Sequence, residues 1–125
     1  MALLIREVVE KSGVAPVSKW LDKHMDAKER AKFHVRLNRL ERDDTINPSW
    51  LAPYVSLSMW EIRFDQGGKA YRVLCERIGD AVIMLLSPSK NGQITSQEED
   101  RAKGRRTAIF SGEASVRDYP LPERA

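Results

Sequence analysis

Between Ser56 and Pro88 the hydrophobic residues follow a period of two, and two short turns cut the stretch into three pieces. Leu57, Met59, Glu61 and Arg63 alternate with Ser58, Trp60, Ile62 and Phe64, so one face is strongly apolar, as a half-buried strand requires. Asp65-Gln66-Gly67-Gly68 is a turn signal, AYRVLCERIG is a second strand, Gly79-Asp80 a second turn and AVIMLLS a third strand. Three consecutive strands joined by hairpin turns make an antiparallel meander. The AVIMLL run does not alternate, which predicts a central strand covered on both faces and ended at Pro88.

The period upstream is helical. Ala2 to Glu10, carrying Ile5, Val8 and Val9, reads as a strand that stops at Ser12-Gly13. Pro16 suits a first helical turn, and Val17, Trp20, Leu21 and His24 follow on one face. Asp26 is an N-cap for a longer helix through AKERAKFHVRLNRLERDD, with Phe33, Leu37 and Leu40 as its apolar stripe. Asn47-Pro48 marks a loop. Thr95 or Ser96, with Glu98 or Glu99 as box partner, caps a third helix through QEEDRAKGRRTAIF, which Gly104 weakens. The polar SGEASVRDYPLPERA reads as a tail. The order predicts an α+β domain over residues 1–110, a small mostly antiparallel sheet with helices packed on one face, followed by a polar tail over 111–125.

A chain of 125 residues builds one core without staples. Cys75 is the single cysteine, so no internal disulfide forms and no structural zinc set exists; a reducing, cytoplasmic setting is expected. MALLIREVV is broken by Arg6 and Glu7, too short and charged for a signal peptide or a membrane span. No glycine-rich phosphate loop, HExxH, nucleophile elbow or EF-hand pattern occurs, and neither metal nor other cofactor is expected. His24 and His34 read as ordinary helix histidines and Trp20, Trp50 and Trp60 as core or rim packing. Tyr71 alternates away from Arg72 into the core, and Tyr119, in the tail, is a weak candidate for stacking on a base.

The candidate functional groups are cationic. Arg63 and Arg72 interrupt apolar strands, Arg77 ends one, Lys90 follows the central strand, and Arg101, Lys103, Arg105 and Arg106 lie on the last helix. Neighbouring strands lie about 5 Å apart, so such residues converge on one face of a meander. They must then meet water, a carboxylate such as Glu61 or Glu76, or an anionic ligand. A salt-bridged outer sheet face is the plain alternative.

The succession GVAPVSKWLDKH, a charged helix ending LNRLERDD, and then LSMWEIRFDQGGKAYRVLCERIGDAVIMLLSPSKNGQITSQEEDRAK resembles the RelE-like toxins of bacterial type II toxin-antitoxin systems, in particular the phage-derived HigB-type branch. The resemblance covers about residues 3–108 and rests on the joint order and spacing of short motifs. It implies a ribosome-associated endoribonuclease that cleaves mRNA and is neutralised by a helix-turn-helix antitoxin. By the same resemblance Arg72 in Y-R-V-L matches the phosphate-stabilising arginine, Arg63 in E-I-R a basic position on the preceding strand, and Lys90 a lysine after the central strand. Arg77, Lys103, Arg105 and Arg106 become expected RNA contacts. Where the family typically carries an aromatic and a Lys-Lys pair, this chain reads Ser87-Pro88-Ser89-Lys90-Asn91.

Metal-independent RNA cleavage uses the 2′-OH as nucleophile on the adjacent phosphate. An arginine fork stabilises the phosphoryl oxygens without losing its charge, which assigns Arg63 and Arg72 to clamping, and a lysine crowded by cations, Lys90, to the base. Two alternatives keep the fold: a toxin that inhibits a protein target such as DNA gyrase, and a degenerate relative that only binds its antitoxin.

Overall fold

The computed structural model describes residues 3–43, 47–79, 82–90 and 92–122. Expected ends and turns at Ala2, Asp44, Asp80, Ala81, Asn91 and residues 123–125 lie outside that set.

The meander is present. Strand β3 (Met59–Gln66) pairs antiparallel with β4 (Lys69–Ile78), and β4 pairs antiparallel with β5 (Val82–Ser89). The first hairpin closes Gln66 against Lys69 through Gly67 and Gly68, both at positive φ (59° and 78°), as a two-residue turn between right-twisted strands demands. An irregularity between Leu74 and Cys75 puts Leu86 in excess on β5, since Leu74 faces Ser87 but Cys75 faces Leu85. Before the meander come β1 (Leu4–Val9), α1 (Pro16–His24), α2 (Ala27–Arg42), β2 (Leu51–Tyr54) and a 3-10 turn (Val55–Leu57). After it come α3 (Ser96–Ser111) and β6 (Ser115–Asp118). The sheet order is β2-β3-β4-β5-β1-β6, with one parallel pair, β1 with β5, in an otherwise antiparallel sheet.

The α+β class and the mostly antiparallel sheet are therefore as the patterning predicts. Helices α1 and α2 cover one face together: Val17, Leu21, Phe33 and Leu37 meet Ile5, Ile62, Phe64, Tyr71, Val73 and Leu85 in one buried cluster, rimmed by Trp20, Trp50 and Trp60. Helix α3 lies over the alternate residues, where Ala102 joins Val8, Met59, Leu74 and Leu86. Both longer helices start on a reciprocal capping box, Asp26 with Glu29 and Thr95 with Glu98.

Three expectations need correcting. Strand β5 runs through Pro88 to Ser89, because β1 has left its other side after Leu85 and the missing N–H faces no ladder there. The loop after Asn47-Pro48 contains β2, an edge strand that tolerates Pro53 for the same reason. The C-terminal stretch is not a loose tail: β6 pairs with β1, and Tyr119 and Leu121 are buried in the main core. Tyr119 is accordingly no stacking platform for a base; its hydroxyl is 2.8 Å from His34 Nε2, and burial pushes its pKa up.

Candidate nucleic-acid site

The β3–β4 register places Arg63 directly opposite Arg72, and the β4–β5 register places Ser89 opposite Arg72. All three alternate with residues that pack on α1 and α2, so they share the α3 side of the sheet. Each guanidinium is held by a carboxylate on its own hairpin. Arg63 Nε donates to Glu61 Oε1 at 2.6 Å, and Arg72 Nη1 donates to Asp65 Oδ1 at 2.8 Å and to the Tyr71 carbonyl at 2.9 Å. Glu61 is buried, whereas the Asp65 side chain is 71% exposed, so the Arg72–Asp65 pair is a weak restraint that a phosphate can displace. Ser89 is buried, and its hydroxyl has no hydrogen-bond partner among the described residues.

The chain after β5 is tied to β4. Gly92, at φ 67°, donates its N–H to the Ala70 carbonyl at 2.9 Å, and Ile94 joins the α3-side cluster. Tyr54 and Ser56 donate to Glu99 of α3 at 2.7 and 3.2 Å, and the half-buried Tyr54 has its hydroxyl pKa raised by burial and then by Glu99.

The other expected cations do not join Arg63 and Arg72. Arg77 stacks over Trp60, 4.7 Å from the ring centroid, on the opposite face, and donates to the Gly79 carbonyl. Arg106 donates to the Leu57 carbonyl and pairs with Glu76 at 3.5 Å, tying α3 to the sheet. Arg105 donates to the Leu86 carbonyl at 2.9 Å, and burial lowers its pKa against the pull of Glu10, 3.9 Å away. Lys103 pairs with Asp100 on the surface of α3. Lys90, exposed just past the end of β5, forms no ion pair or hydrogen bond with the Arg63–Arg72 row among the described residues, and its charge acts on His24 of α1. Sequence reasoning treats Glu61 only as a salt-bridge partner. The signal for more is there, because Glu61 and Arg63 are two apart in a strand and share a face.

Among the described residues no group of three or more histidine, cysteine, aspartate or glutamate side chains gathers as a metal site, and no helix is long and apolar enough to cross a membrane. Comparison with curated proteins and with solved structures returns no match. A family model does match: phage-derived protein Gp49-like (DUF891), over residues 19–107, from within α1 to within α3. The matched stretch is most of the chain and contains Arg63, Arg72 and Glu61, so the chain belongs to the Gp49-like family, a RelE-like toxin family of type II toxin-antitoxin systems.

Proposed function

We propose that the chain is the toxin of such a pair, an endoribonuclease that cleaves mRNA on the ribosome and is held inactive by a helix-turn-helix antitoxin. The observation that carries the reading is the opposed pair Arg63 and Arg72 on one sheet face, beside a buried carboxylate. Two guanidinium forks at adjacent strand positions suit the equatorial oxygens of a phosphorane, whose extra charge they stabilise. The 2′-oxygen attacks phosphorus as its proton passes to the base, the P–O5′ bond breaks, and the leaving 5′-oxygen takes a proton from water, giving a 2′,3′-cyclic phosphate and a 5′-hydroxyl. Glu61 lies against Arg63 on this face, which makes it the proton acceptor for the 2′-hydroxyl in this reading, and Lys90 acts on the bound strand rather than as the base.

The test is Arg72→Lys, which keeps the charge but loses the planar fork. With translating ribosomes and mRNA, discrete cleavage should fall about a hundredfold, the scale of one lost transition-state donor, while the melting temperature stays put. The two ion pairs also fit a RelE fold without nuclease activity, in which Arg72 only neutralises Asp65. Unchanged toxicity and unchanged stability in the Lys variant decide for that reading.

A further inference from the structure

Strands β1 and β5 pair from Leu4 with Val82 to Glu7 with Leu85, and then diverge. Val8 and Val9 continue with β6, while Ser87, Pro88 and Ser89 continue with β4, which opens a wedge between the two central strands. Helix α1 fills it from one side and Arg105 of α3 from the other, and between them remains a cleft of about 300 Å³ lined by Glu10, Lys19, Trp20, Lys23, His24 and Arg105 among others. A second groove, of about 480 Å³, shares Glu10 and Arg105 and adds Lys11 and Arg101.

Cations without an ion pair gather in two places among the described residues, around this cleft and on α2, where Lys28, Lys32, Arg36 and Arg42 make none; only the cleft combines them with a concave site. Arg6, Arg30, Arg39, Lys69, Arg106 and Arg117 are each bound to a carboxylate, as are Arg63 and Arg72. Among the described residues, Lys11, Lys19, Lys23, Lys90 and Arg101 make no ion pair, and Arg105 meets Glu10 only at 3.9 Å. The cleft also has an aromatic wall: the Trp20 and His24 rings lie 4.4 Å apart, and Trp20 is braced edge-on by Tyr71 at 6.1 Å. Burial, then Lys90 and Lys23, lower the His24 pKa, which disfavours a charged ring in this wall.

Unpaired flexible ammonium groups around a fixed aromatic surface match a ligand that repeats a charge and a flat ring at each unit. An acidic peptide supplies the charge but leaves the aromatic wall without a partner. We infer that the cleft beside α1 is a subsite for single-stranded RNA, with Lys19, Lys23 and Arg105 taking backbone phosphates and the Trp20–His24 wall taking a base. The inference rests on the reading of the chain as an RNA-cleaving toxin, and concerns how the strand is held rather than how it is cut.

Binding of a fluorescein-labelled twelve-residue oligouridylate to the full chain, followed by anisotropy over a salt series, tests it. Lys19→Gln/Lys23→Gln should lower affinity by about tenfold and flatten the log-log salt dependence by about 0.7 for each phosphate no longer neutralised. Lys28→Gln/Lys32→Gln removes equal charge from the exposed side of α2 and should leave both quantities unchanged. All four lysines are exposed, so circular dichroism of both variants should match the parent. Equal losses in the two variants, no loss in either, or a cleft that takes polyglutamate but no oligouridylate would each overturn the subsite. Lysine-dependent RNA binding by a chain that cuts no mRNA on ribosomes upholds the subsite and removes the proposed activity. Cleavage with binding indifferent to Lys19 and Lys23 does the reverse.

Discussion

Gly92 shows how one residue fits the chain after β5 against β4. A Cβ built at this position would lie 2.9 Å from the Ala70 Cβ, and φ is already in the left-handed region at 67°. Gly92→Ala should therefore cost about 1–2 kcal/mol from backbone strain alone, read by denaturant unfolding. Adding Ala70→Gly should recover the steric part of the loss and none of the strain. His34 sets a pH dependence. Burial, with Arg30 adding to it and Asp22 opposing, holds the imidazole below its ordinary pKa. The folded chain then binds fewer protons here than the unfolded one, so stability is whole above about pH 6.5 and is lost as pH falls through the folded pKa. His34→Gln, which can still hydrogen-bond the Tyr119 hydroxyl, should reduce the fall in melting temperature between neutral and mildly acidic pH. His24 is lowered too, so part of the slope should persist. A melting temperature that rises on acidification would contradict both assignments.

At the scale of elements, the capping boxes are the most local determinant. Thr95→Ala removes the side-chain acceptor for the Glu98 N–H, 3.2 Å away, and should cost about 1 kcal/mol, while Thr95→Ser restores it. Those helix starts are legible because a cap is written within four residues. The meander is legible because period two and its turn glycines are local as well. Strands β2 and β6 are not: each is four residues long, Pro53 interrupts one, and Val116 is the sole apolar residue of Ser115–Asp118. The partner of β6, Arg6–Val9, is distant in the chain, whereas β2 pairs with the nearby Met59–Ile62 across the 3-10 turn and is hidden by its shortness and by Pro53. The candidate site is legible in the same proportion. Arg63 and Arg72 face each other because hairpin register is local, whereas the placement of Arg105 against α1 depends on where β1 and β5 diverge, which no nearby residue announces.

For the whole molecule, the last residues complete the domain. Tyr119 and Leu121 are buried, and each burial contributes about 1.5–3 kcal/mol. A chain ending at Ser111 also loses the pairing of Val8 with Val116 and should unfold well below the melting temperature of the full chain; an unchanged transition would show that β6 is dispensable. Time enters through β1. It is synthesised first, yet Leu4 waits for Val82 and Val8 waits for Val116, so the sheet closes only after its most distant segments have met. Until Val116 has been made, the chain is an incomplete domain with an open edge on β1.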